Sequence, residues 1–87
     1  MAIFTIEFKP SAVKSLERLP VAQGRRIVAA IEELAADPRP PGSKKLAGQE
    51  DLWRIRLGDY RVIYEIEGRK LIILVLVIAH RKDVYRK

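Results

Sequence analysis

Hydrophobic and polar positions alternate at the start of the chain. Ile3, Thr5 and Glu7 interleave with Phe4, Ile6 and Phe8, the period-two signature of a strand with one strongly apolar face, and Pro10 ends it. The period then lengthens. Ala12, Val13, Leu16 and Leu19 fall near helical spacing, with Ser11 placed to cap the first turn and Pro20 placed to break the segment and start the next. Ile27, Val28, Ile31, Leu34 and Ala35 recur at i, i+1, i+4, i+7 and i+8, which predicts an amphipathic helix. Asp37-Pro38 stops it, because the residue before a proline avoids the helical region. Residues 37–49 (DPRPPGSKKLAGQ) form one irregular stretch, too short for a domain linker. Three strands follow, at residues 51–57, 60–67 and 70–79. Gly58-Asp59 and Gly68-Arg69 separate them. Glycine at the first turn position fits a two-residue type II′ hairpin, although the second turn also accommodates a longer loop. The run 71–79 is apolar on both faces and too short to cross a bilayer as a helix, so it belongs to a central, buried strand. The order β-α-α-β-β-β describes an α+β fold, two N-terminal helices packed on a mostly antiparallel four-stranded sheet, in a single domain spanning residues 1–87.

A two-residue turn at Gly58-Asp59 fixes a register. Leu57 opposes Tyr60, Arg56 opposes Arg61, Ile55 opposes Val62 and Trp53 opposes Tyr64. Alternation then gathers Trp53, Ile55, Leu57, Tyr60, Val62, Tyr64 and Ile66 on a core face. Arg54, Arg56 and Arg61 share the other face, with Arg56 and Arg61 directly across from each other. Like charges so placed destabilise a sheet by up to roughly 1 kcal/mol per pair. Glu65 and Glu67 lie farther along that face, so a merely solvated face is one reading. The other is a site for a polyanion, since arginine keeps its charge and donates paired hydrogen bonds to phosphate. The last strand delivers His80, Arg81, Lys82 and Tyr85 toward Arg56 and Arg61. A structural role for His80 and a packing role for Tyr85 stand beside catalytic ones.

Charge sharpens the choice. The formal net charge is +6. Residues 44–87 hold eleven Lys and Arg against six Asp and Glu, whereas residues 1–43 are nearly balanced. A concentrated basic field is the footprint of a nucleic-acid binder, though an acidic protein partner also suits it. The absence of cysteine rules out disulfides and cysteine-ligated metals and makes a reducing cytoplasm the expected setting. The first ten residues lack the pattern of a signal peptide, and no membrane partner is expected. With one histidine, no metal site is convincing and no cofactor is expected. There is no Ser-His-Asp arrangement and no glycine-rich phosphate loop. Arginines with a tyrosine and a histidine can instead catalyse phosphoryl transfer in RNA, whose 2′-hydroxyl is the nucleophile. The cations would neutralise the phosphorane. Arginine stays protonated, which leaves His80 or Tyr85 for proton transfer, the phenolate being favoured by positive neighbours.

The string DLWRIRLGDYRVIYEI, followed by VIAHRKDVY, resembles the RelE branch of the RelE/ParE toxin superfamily, over essentially the whole chain. The resemblance implies a toxin of a type II toxin–antitoxin system, a metal-independent endoribonuclease that cleaves mRNA in the ribosomal A site and inhibits translation. It also implies a RelB-like antitoxin in a hetero-oligomer. By position, Arg54 and Arg56 match two basic residues that contact the RNA backbone. Arg56 and Arg61 would stabilise charge at the scissile phosphate, Arg81 would assist the leaving group, and Tyr85 matches a tail tyrosine proposed as general base. Lys44, Lys45 and Lys82 extend the RNA-binding set. The chain departs from the best-known members in carrying Arg where they carry Lys, in a shorter spacing from Arg81 to Tyr85, and in having His80 before Arg81. The proton acceptor is therefore left between His80 and Tyr85. Two other functions compete. A ParE-like DNA gyrase inhibitor has the same fold, which fold alone does not separate. A non-catalytic RNA-binding module would show exposed aromatics for base stacking, and Phe4, Phe8, Trp53, Tyr60 and Tyr64 read mainly as core.

Overall fold

The computed structural model describes residues 3–80. Its elements follow in the order β1 (Thr5–Phe8), α1 (Pro10–Glu17), α2 (Val21–Glu33), β2 (Lys44–Lys45), β3 (Leu52–Leu57), β4 (Tyr60–Glu67) and β5 (Ile72–His80). The sheet has five strands in the order β1-β5-β4-β3-β2. It differs from the expected four by β2, a two-residue strand inside the stretch read as irregular, where Lys44 pairs with Arg54 and Lys45 with Trp53. Two lysines have no alternating pattern and little strand preference; only the open edge of β3 makes them a strand. Three pairings are antiparallel, and β1 joins β5 in parallel, with Ile6 beside Ile73 and Phe8 beside Val75. Between these two strands the chain passes through both helices and the β2–β4 meander, which is what lets β1 and β5 run the same way.

Local chemistry explains the element ends. α1 begins at Pro10 and not behind a Ser11 cap: Lys9 is the extended N-cap residue and supplies no side-chain bond. Proline at the first helical position has no N–H to leave unsatisfied, so a cap is dispensable there. Ser11 lies inside the first turn, and its carbonyl accepts the Ser15 hydroxyl at 3.1 Å. Pro20 is the N-cap of α2. The first hairpin turns on Gly58 at φ 61 while Asp59 stays out of the left-handed region, the pattern of a type II′ turn. The second hairpin takes the longer loop. Glu67 pairs with Ile72, leaving four residues between them, and Leu71 adopts φ 55. A leucine there is strained. Its carbonyl is held by the Thr5 amide at 2.7 Å, which ties this loop to β1.

The core lies between the helices and one face of the sheet. Ile27 and Ile31 of α2, Leu34 at its C-cap and Ala12 of α1 meet Ile55, Val62, Tyr64, Ile66, Ile73, Val75 and Ile78, all buried. The expected core face of β3 and β4 is thus the observed one. β5 carries an irregularity: Tyr64 pairs with Val75 but Ile63 pairs with Val77, so Leu76 has no partner in β4. This bulge reverses the alternation. Before it Ile73 and Val75 point to the helices; after it Ile78 and His80 do, and Val77, 42% exposed, points away.

Candidate nucleic-acid interface

The register of the first hairpin matches the sequence expectation at every pair, including Arg56 opposite Arg61. Beyond it, β2 sets Lys44 opposite Arg54. Partners in an antiparallel ladder share a face, so Lys44, Arg54, Arg56 and Arg61 all lie on the sheet face turned away from the helices. The face therefore carries two directly opposed like-charge pairs on neighbouring ladders. Arg56 and Lys44 are exposed; Arg54 and Arg61 are half-buried and make contacts within the fold. Glu65, opposite Leu52, and Glu67 stand toward the far end of β4 on the same face. The cations thus cluster toward the Gly58 turn and the acids toward the other end.

Lys45 is not part of this cluster. It pairs with Trp53, whose side chain belongs to the core side, so its own leaves on that side. We expect Lys44→Ala to reduce the salt dependence of RNA binding, lowering the slope of log K against log salt by about 0.7, the value for one phosphate contact to a single strand. Lys45→Ala should leave the slope unchanged. Equal slopes for the two variants, measured by fluorescence anisotropy across a salt series, would dissolve the distinction.

Lys44 owes its place to a clamp formed behind it. Tyr64, fully buried, donates its hydroxyl to the Pro38 carbonyl at 2.6 Å. The Arg39 guanidinium lies 5.3 Å from the centre of the Trp53 ring, a cation–π contact. Together they fasten the loop between α2 and β2 to the core side of the sheet, so that the next residues reach the edge of β3. Burial pushes the Tyr64 phenol up to about 12, despite the Ser43 side chain and the Arg39 charge, which act the other way. The folded state therefore holds this proton when the unfolded chain, with an ordinary tyrosine near 10, has released it. Stability is unaffected by Tyr64 below about pH 10 and falls as pH rises from there toward 12. Tyr64→Phe should flatten that alkaline decline while lowering stability near neutrality by about 1 kcal/mol through the lost bond. Paired denaturation curves at pH 7 and 11 test both halves; an alkaline decline equal in wild type and variant would refute the assignment.

His80 lies at the end of β5, opposite Tyr60 and beside the Gly58-Asp59 turn, as far as chain position was anticipated. Its ring meets Tyr60 edge to face, with centroids 5.2 Å apart and planes at 89°. This is the helix side of the sheet. Ala79, not His80, shares the face of Arg61. The strand end lies beside the turn and next to Arg61, as the sequence implied, but the bulge turns the His80 side chain to the opposite face; period-two reading of an all-apolar strand gives no means of locating that bulge. Arg81, Lys82 and Tyr85 lie outside the described residues.

This arrangement of a basic sheet face behind a two-helix layer can be set against known proteins. A family model described as the ParE toxin of type II toxin–antitoxin systems, parDE, matches residues 6–85, and the chain belongs to this toxin family. Within the RelE/ParE superfamily it is of the RelE type. Toxin RelG of Mycobacterium tuberculosis is 32% identical over 92 residues, covering 97% of this chain and 98% of its own. Toxin RelE3 of Methanocaldococcus jannaschii is 32% identical over 82 residues, covering 90% and 91%. Among solved structures, the archaeal RelE–RelB complex from Pyrococcus horikoshii OT3 superposes with a TM-score of 0.81 at 34% identity, covering 91% of this chain and 96% of that one.

Proposed function

We propose that this chain is a ribosome-dependent endoribonuclease that cuts mRNA in the A site and is silenced by an antitoxin. The observation that carries the reading is the pair of opposed cations, Lys44–Arg54 and Arg56–Arg61, on one open sheet face. Like charges set directly across a ladder repel, and Arg54 and Arg61 also make contacts within the fold. A bound phosphodiester strand would add counter-charge to the face, one phosphate at each pair. At the scissile linkage the 2′-hydroxyl loses its proton and attacks phosphorus, and the bond to the 5′-oxygen breaks. The products are a 2′,3′-cyclic phosphate and a 5′-hydroxyl. Arg56 and Arg61 stabilise the charge that builds on the phosphorane oxygens. Lys44 and Arg54 hold the neighbouring phosphate, and Lys82 extends this contact. The position of His80 on the helix side favours Tyr85 over it as proton acceptor. Arg81 assists the departing 5′-oxygen. With so open a face, the ribosome supplies the reactive geometry of the RNA. The RelE chains of P. horikoshii and Escherichia coli were solved in complex with RelB, which supports an antitoxin for this chain too. It would cover the basic face or displace the tail from His80 onward.

The test is a primer-extension map of mRNA in a translating extract, with wild type, Arg61→Ala and Tyr85→Phe. Cuts confined to translated frames and weakened in both variants are expected. Intact mRNA together with inhibited DNA supercoiling would reject the nuclease in favour of gyrase inhibition.

A further inference from the structure

The two helices leave an open groove of about 480 Å³ between them. Leu16 and Leu19 form one wall, and Val21 and Val28 the other. The two leucines also pack on the core beneath, whereas Val21 is 70% exposed. Gly24 lines the same groove. A glycine inside a helix weakens it relative to alanine. The fold itself does not call for one here. Gly24 lies outside the left-handed region, and a methyl group at this position would meet only the Leu16 carbonyl oxygen, at 3.9 Å, an ordinary contact. What the missing side chain does provide is room for something approaching the groove from outside.

The charges along α2 are their own complement. Arg25 and Glu32 are both exposed and lie seven residues apart, two turns along nearly the same stripe. Midway between them stand Val28 and Ala29, which also line the groove. If a second α2 is set antiparallel on the first, with the two-fold axis between Val28 and Ala29, each Arg25 meets the partner's Glu32. A two-fold interface needs such self-complementarity, because the same patch serves both sides. The stripe also fixes the direction, since a parallel pairing would set arginine beside arginine. An unrelated chain would have to match these charges separately. With Glu17 on the opposite wall, carboxylates outnumber guanidinium groups along the groove. On a chain of net charge +6, that makes it a surface where two copies approach with little repulsion.

We propose that the groove between α1 and α2 is the docking surface for a second copy of this chain, in a two-fold dimer with antiparallel α2 helices, Arg25 of each copy paired with Glu32 of the other. The helices and the basic face lie on opposite sides of the sheet, so both copies keep the basic face open. The patch is small beside the surface that a permanent dimer buries, so the association is weak and depends on concentration. It stands whether or not the chain cleaves RNA.

Sedimentation equilibrium of the full chain, over about a hundred-fold range of concentration, reads the dimer directly. The average mass should rise from that of one chain toward that of two. Arg25→Glu alone and Glu32→Arg alone should each raise the dissociation constant about ten-fold, because attractive pairs become repulsive. Both positions are exposed, so neither change touches the core. An equimolar mixture of the two variants should recover the wild-type behaviour, because one chain then offers two carboxylates and the other two guanidinium groups. Gly24→Gln should weaken association while raising Tm, since a helix-forming side chain fits the single chain but fills the groove. A wild type that stays monomeric throughout would overturn the proposal; antitoxin binding weakened by Gly24→Gln in that case would assign the groove to the antitoxin. A dimer that both charge reversals leave unchanged, or a mixture of the two variants that stays monomeric while wild type dimerises, would also overturn it.

Discussion

Arg56→Thr is expected to lower mRNA cleavage about 10²–10³-fold, the loss that follows removal of one donor to a developing oxyanion. The same substitution should leave the fold as stable as before or stabilise it. Arg56 is exposed and faces Arg61 across the ladder, so its removal relieves a repulsion of up to roughly 1 kcal/mol. Threonine also suits a strand better than most polar residues. In a domain of this size each kcal/mol moves Tm by roughly 4–8 °C, so even part of that gain is measurable by calorimetry. Opposite signs for activity and stability are the diagnostic. Loss of both would mean that Arg56 is a structural residue; retention of activity would remove it from the site.

The second large effect concerns stability alone. Ile73→Ala should cost roughly 2–5 kcal/mol, because it empties a fully buried position. An 87-residue chain has on the order of 4–13 kcal/mol to lose. Ile73 is also placed where two ladders meet, paired with Ile6 of β1 on one side and Ile66 of β4 on the other. Its loss therefore weakens the parallel and the antiparallel halves together. Val77→Ala, on the same strand but with its side chain on the open face, should change stability by less than about 1 kcal/mol. Chemical denaturation of the two variants, compared with wild type, separates them. Similar midpoints would show that the helix side of β5 is not the core.

Much of this was legible in the sequence, and the residues show why. Gly58-Asp59 leaves only two residues for a turn between two alternating segments, so the register of β3 and β4, and with it the Arg56–Arg61 opposition, follows from counting. The spacing from Ile27 to Leu34 identified the buried side of α2. What escaped reading depends on tertiary context. Lys44-Lys45 become a strand only because an edge of β3 is there to pair with. Ser11 looks like a cap until Pro10 takes the first helical position. Tyr64 reads as a core aromatic, and nothing local announces that its hydroxyl reaches Pro38. The bulge at Leu76 falls within a run of apolar residues, where either phase satisfies the same hydrophobic pattern.

That bulge has an evolutionary corollary. It marks a place where a buried strand tolerates a change of length. Val77, Ile78, Ala79 and His80 face Ile63, Val62, Arg61 and Tyr60, the partners a regular ladder would give them directly after Val75. A descendant lacking Leu76 would straighten the strand and keep every one of these pairs, with Ile78 and His80 still on the helix side and Val77 and Ala79 on the other. A single in-frame deletion here is thus absorbed without moving the core or the basic face. Deleting Leu76 from this chain should leave a folded protein that keeps the Tyr60–His80 ring contact, read by NMR; a variant in which His80 moves to the face of Arg61 would count against the idea.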